Sequence, residues 1–409
     1  MQILKQYISI LSLLVLTFMK MSAQEVTVLD VPTSELDSVE VSLLTCSPGE
    51  DVYAKFGHTA LRVIDYTMNE DIVFNYGCFN YNSENFVFKF ILGQTDYLLG
   101  AERADYFMSR YQSMGNGVTE QKLNLTQEEA NKLLTMLFVN LQPENQEYRY
   151  KWIGNNCTDK ARFIVEDAID GNVVYDFSKK SEDPSVREIL HQCLANNPWV
   201  SLGIDLMLGQ EIDTNSASRS EEENHLWTMF IPARFMNEAD KTMIKKADGS
   251  IIPYTKDKQV LFEPTLEDSQ DTIFTPTVVF GLLLGFVIFI SVFDTKKKRQ
   301  SVWVDILLCS AQGILGLLIA FLFFFSEHPG VDSNWLVIVL NPLPLLYAGW
   351  MYYCHRKGRP NIIAPVNLAV LTLFIPTMLL CPQSFSIPLY LMVSSLWLRS
   401  IIQTTTRNK

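Results

Sequence analysis

Asn155-Asn156-Cys157-Thr158-Asp159-Lys160-Ala161-Arg162-Phe163-Ile164-Val165-Glu166-Asp167-Ala168-Ile169 decides how the first half of this 409-residue chain is read. Asparagine is a strong helix cap, and Ala161, Ile164, Val165, Ala168 and Ile169 recur at helical spacing before Gly171, so a helix opens at Cys157. Its thiol lies on the first turn, outside the apolar stripe. A helix start offers unpaired N–H groups and the positive end of the dipole, which favours thiolate, the nucleophilic form. A helical cysteine is more often a small buried hydrophobe, and asparagine caps need no chemistry to explain them. Only a matching base separates the two readings.

Phe56-Gly57-His58-Thr59 supplies one, 99 residues earlier, where a strand begins. Residues 41–45, 60–65, 71–78, 86–91 and 118–125 read as strands, rich in β-branched and aromatic side chains and separated by turn formers such as Asn69-Glu70 and Asn82-Ser83. Thr126-x-x-Glu129 and Ser185-x-x-Glu188 are capping boxes that open helices. The expectation is an α+β domain. Beyond Pro198 the signals weaken: residues 203–207 read as a short exposed apolar turn, 213–224 as a polar loop, Ala247-Asp248-Gly249-Ser250 as a hairpin turn and 253–271 as a linker.

His58 is the candidate base that deprotonates Cys157 and later protonates a leaving group; a lone histidine at a strand start is otherwise a surface or capping residue. A third group should orient the imidazole. Asn75, on the strand that follows by a hairpin, is preferred over Asp65. Asn156 and Tyr53 are candidates to help the Cys157 N–H stabilise an oxyanion. His191 and His225 sit in less favourable surroundings. None of the seven cysteines makes a CxxC pair, so no metal site is expected; a Cys46–Cys78 disulfide is left open.

Residues 1–23 have Lys5, an apolar run over 8–18 and Ser22-Ala23 before Gln24, the pattern of a secretory signal cleaved after Ala23; Lys20 keeps an uncleaved anchor as the alternative. Five nearly charge-free stretches close the chain, at 273–293, 302–325, 335–353, 362–381 and 385–402. Lys and Arg cluster after the first, third and fifth, and are missing from the loops 327–334 and 382–384, so the basic loops face the cytoplasm. Asp305 and Arg399 fall near span ends and suggest no polar site between the helices. From residue 273 onward ten Lys or Arg face four Asp or Glu, a net of +6, against −18 for the rest. So acidic an exported part is a poor nucleic-acid binder.

The order His58 then Cys157, with the cysteine opening a helix after the strands, is similar to the circularly permuted papain-like fold shared by lecithin:retinol acyltransferases and permuted NlpC-type hydrolases. Ser47-Pro48-Gly49-Glu50, Phe56-Gly57-His58-Thr59-Ala60-Leu61-Arg62-Val63, Val73-Phe74-Asn75-Tyr76-Gly77 and Asn155-Asn156-Cys157-Thr158-x-x-Ala161-Arg162 more closely resemble the exported domain of the Lnb family of bacterial lipoprotein N-acyltransferases. The resemblance implies acyl transfer from a membrane phospholipid, through a Cys157 thioester, to the N-terminal amine of a diacylated lipoprotein. It also implies no cofactor and a place in the bacterial inner (cytoplasmic) membrane with the catalytic domain on the periplasmic side. The expected layout is a signal at 1–23, an exported catalytic domain at 24–200 with its core at 40–200, an extension and linker at 201–272, an all-α membrane domain of about five helices at 273–402, and a cytoplasmic tail at 403–409. Two rivals remain: an exported thiol hydrolase of peptidoglycan or peptides, and a non-catalytic membrane-anchored binding module.

Overall fold

The computed structural model describes residues 39–79, 84–175, 184–214, 219–265 and 273–405. The expected signal segment, the Asn82-Ser83 turn and the end of the tail lie outside them. Two compact units result, Met1–Ser178 with His225–Leu266, and Lys179–Asn224 with Glu267–Lys409.

The first unit is built on a seven-stranded antiparallel sheet of β1 (Val39–Cys46), β2 (His58–Asp65), β3 (Glu70–Cys78), β4 (Asp96–Arg103), β5 (Val118–Leu123), β6 (Glu147–Arg149) and β10 (Thr255–Phe262), in the order β10-β5-β1-β2-β3-β4-β6. Alternation along the strands sends Val41, Leu43, Leu61, Val63 and Phe74 to one face, and Leu44, Cys46, Ala60 and Val73 to the other. Both faces are covered, which is why these strands are apolar almost throughout. Helix α1 spans Phe86–Leu92 and α2 spans Ala104–Ser113; α3 (Gln127–Asn140) and α4 (Cys157–Ala168) follow. Leu133 and Leu137 of α3 join Ala161 and Val165 of α4 over the first face, and Phe107 of α2 closes the second. Thr126 caps α3 in a complete capping box, as its sequence indicates.

Two expectations fail here. Residues 86–91 form helix α1 rather than a strand, ended by Gly93 at φ 71°. Its aromatic side chains stack on their neighbours, and the strand ladder passes instead through β4, whose Gly100-Ala101-Glu102-Arg103 carries little strand propensity. Second, residues 255–262 of the expected 253–271 linker form the sheet strand β10. Ala247–Ser250 does turn a hairpin, between β8 (Met243–Lys246), which also pairs with β7 (Gly171–Val174), and β9 (Ile251–Pro253), and β10 then pairs with β5. Phe235, Ile244 and Tyr254 belong to the main core. A partner more than a hundred residues away leaves no local signal.

In the second unit, residues 203–207 are the end of a helix, Pro198–Met207, with Leu202 buried, not an exposed turn. Among the described residues five longer helices follow, Pro276–Lys297, Val302–Phe325, Leu343–Lys357, Ala364–Leu380 and Ile387–Thr405. Among the described residues, three segments are long and apolar enough to cross a membrane: Pro276–Lys297, Val302–Phe325 and Trp335–Lys357. Asp305 and Arg399 do not sit idle at span ends. Arg399, 1% exposed, donates to Asp305 Oδ1 at 2.6 Å, Asp294 Oδ2 at 2.9 Å and Ser291 Oγ at 3.2 Å. Ser301 and Gln300 supply further donors to the two carboxylates, so the buried charges are paired and hydrogen-bonded.

Candidate active site

Cys157 is the first residue of α4, and Asn156 is its cap. The Asn156 Oδ1 accepts from the N–H groups of Thr158 at 2.8 Å and Asp159 at 3.0 Å, while the Asp159 carboxylate accepts from the Asn156 N–H at 3.4 Å. Its Nδ2 donates to the carbonyls of Trp152 and Phe230, both at 2.9 Å. Both amide hydrogens and the acceptor are therefore committed, and Asn156 has nothing left for an oxyanion. It fixes the helix start, and with it the thiol. Burial pushes the Asp159 carboxyl up to about 6, against the pull of Arg162.

His58 opens β2 directly opposite Cys46. Its Nε2 lies 2.7 Å from Asn75 Oδ1. The same oxygen accepts the Gly77 N–H at 2.7 Å, which identifies it as an acceptor. His58 then carries its proton on Nε2 and turns Nδ1 to the thiol. Two glycines make room. A Cβ on Gly77 would fall 2.4 Å from the imidazole Cε1, and Gly57, at φ +77°, brings its Cα within a Cβ's reach of the Cys46 carbonyl. Thr59 and Thr158, both buried, share a 3.1 Å hydroxyl contact that ties β2 to α4.

The thiol and imidazole share a hydrogen bond and shift each other. Burial raises the Cys157 pKa, but the His58 charge and hydrogen bond, the Thr59 N–H and the Thr158 hydroxyl outweigh it, leaving the thiol below its ordinary value. Burial lowers the His58 pKa, and the Cys157 charge and hydrogen bond, with Asn75, more than offset it, leaving the imidazole above its own. Both shifts favour the thiolate–imidazolium pair. Both residues keep partial exposure, so a reactant can approach.

Asp65, the weaker orienting candidate, spends Oδ1 on the N–H groups of Thr67 and Met68, 2.9 Å each, within a turn. Tyr53 donates its hydroxyl proton to Asp51 at 2.7 Å and is 44% exposed, so it too is not aimed at an oxyanion. The Cys157 N–H, at the first helical position and without an intrahelical acceptor, is the donor that remains.

One family model, the Lnb N-terminal periplasmic domain, matches residues 32–192, and a second, the Lnb transmembrane domain, matches residues 268–409. The chain belongs to the Lnb family. It is accordingly a membrane protein with a periplasmic domain, of the lipoprotein-processing type. No curated protein and no solved structure matches it.

The Lnb periplasmic region holds Cys157, His58 and Asn75 together, along with neighbours that motif reading passes over. Tyr97 stacks on Tyr150 at 4.3 Å and on Phe79 at 4.9 Å, and Phe79 stacks on Phe86 of α1 at 5.2 Å. Burial raises the hydroxyl pKa values of Tyr97, Tyr148 and Tyr150, and the Cys157 charge adds to each, so this aromatic wall lies within electrostatic reach of the sulfur. The spacing of Tyr148, on β6, and Tyr150, just past its end, is the signal that points to it. Cys46 and Cys78 are buried free thiols and form no disulfide. In the second unit His191 pairs with Asp205 at 2.8 Å.

Proposed function

We propose that this Lnb-family protein moves a fatty acyl chain from a membrane phospholipid to the N-terminal amine of diacylated lipoproteins, giving triacylated products through a Cys157 thioester. The observation that carries the proposal is the thiol at the α4 N-terminus beside an imidazole held by Asn75 at 2.7 Å. The first unit reads as a permuted papain-like domain, and the five helices as its anchor in the inner membrane. Family membership and apolar spans support an acceptor and a donor that never leave the bilayer.

The Cys157 thiolate adds to the ester carbonyl, and the Cys157 N–H donates to the oxyanion. His58 gives its Nδ1 proton to the departing glycerol oxygen, releasing a lysophospholipid and leaving the thioester. The lipoprotein amine then attacks the thioester carbonyl, loses one proton to His58 and expels the thiolate. An amide has formed, and the thiolate–imidazolium pair is restored. The aromatic wall shields the thioester from water.

The test is mass spectrometry of lipoprotein N-termini from cells lacking other N-acyltransferases. Wild-type protein should yield triacylated peptides and Cys157→Ala only diacylated ones. Identical diacylated peptides from both would sink the proposal.

A further inference from the structure

Lys160 is a cation one helical turn beyond Cys157 on α4, and residues three apart on a helix are surface neighbours, about 5–6 Å between Cβ atoms. Its Nζ lies 5.6 Å from the ring centre of Tyr76 and 5.1 Å from that of Tyr148. Tyr148 in turn meets Tyr97 edge-on at 6.3 Å, so the ammonium borders the aromatic wall. Three arginines of this unit are neutralised: Arg62 by Asp71 and Glu120, Arg110 by Glu102, Arg162 by Asp159 and Glu166. Lys160 alone of these four has no carboxylate partner among the described residues. Holding an ammonium half-buried and unneutralised is costly, and burial accordingly lowers its pKa; two ring faces compensate only in part.

We infer that Lys160 is a specificity-determining residue that binds the phosphodiester of the phospholipid donor while the adjoining ester lies at Cys157. This inference rests on the acyl-transfer reading. In a glycerophospholipid the phosphate and the acyl esters share one three-carbon backbone, so an anion sits within a helical turn of the reacting carbonyl. An ammonium one turn from the thiol neutralises it and fixes the glycerol, leaving the chains to the aromatic wall.

Purified full-length protein in mixed micelles is offered phosphatidylglycerol, or diacylglycerol with the same chains, without an acceptor amine. Acylation of Cys157 is timed by intact-protein mass spectrometry. Lys160→Met should lower the phospholipid-to-diacylglycerol rate ratio about 10- to 100-fold, as expected for one charge-assisted hydrogen bond, and Lys160→Arg should recover it. Lys160→Gln, which keeps the stem over the rings, reads the same ratio should the methionine variant not fold. An unchanged ratio, or equal loss with both donors, overturns the role of Lys160 and leaves acyl transfer standing. Failure of phosphatidylglycerol to acylate the wild-type protein overturns both.

Discussion

His58 and His191 each set an imidazole Nε2 against a side-chain oxygen, Asn75 Oδ1 at 2.7 Å and Asp205 Oδ1 at 2.8 Å, yet the two surroundings differ in kind. Asn75 is neutral, so it orients His58 without fixing its charge, and a thiol lies on the other side. Asp205 is ionised and already engaged. Burial raises its pKa, but His191, Ser386 and Arg187 outweigh that and hold the carboxyl below its usual range. Arg187 also reaches Asp213 at 2.8 and 2.9 Å and the carbonyls of Leu208 and Gly209 at 2.9 Å, so its donors are consumed. An imidazole beside a neutral amide and a thiol can exchange protons; one beside a saturated ion pair holds a fold together.

The largest effect expected is loss of more than about 10³-fold in acyl-enzyme formation in Cys157→Ala, against less than about twofold in His191→Ala. Comparable losses would erase the distinction. Arg187→Met should reverse the ranking in a stability measurement, because it strands Asp205 and Asp213. A cost of about 3–5 kcal/mol is expected in denaturant unfolding of the detergent-solubilised protein. A change under about 1 kcal/mol would mean that the network is ornamental. Asn75→Ala should slow acylation about 10-fold, the worth of one orienting hydrogen bond, with little change in unfolding midpoint. If its stability falls as far as that of Arg187→Met, Asn75 is a structural residue like Asp205.

The smallest effect concerns pH. Alkylation of Cys157 follows the thiolate fraction, which declines as pH falls through the thiol pKa. Because that pKa is lowered and the imidazole pKa is raised, alkylation should stay on its plateau below the range where an ordinary thiol titrates. His58→Ala removes the stabilising charge and should move the midpoint up. An unmoved midpoint would show that the two groups titrate independently.

Much of the first unit is legible in sequence because its signals are local. Two cap-forming asparagines and a 3.6-residue stripe locate α4, and the β2–β3 hairpin suffices to bring Asn75 beside His58. Asn156 is misread for the same reason: adjacency to a thiol says nothing about where amide hydrogens go, and Trp152 and Phe230 take both. Residues 86–91 have the composition of a strand but no ladder to join. The Arg399–Asp294–Asp305 cluster draws on three helices, so along the chain it shows only as scattered charges at span ends.

The pairing of β10 with β5 carries a consequence for biogenesis. The sheet's outer strand ends at Phe262, only a short stretch before Pro276 opens the next helix. During export the domain therefore remains incomplete, with the β5 edge bare, until nearly the whole region preceding the membrane helices has been translocated. A soluble fragment cut at residue 200 would expose the same edge and lack the core residues Phe235, Ile244 and Tyr254; one extending past Phe262 would not.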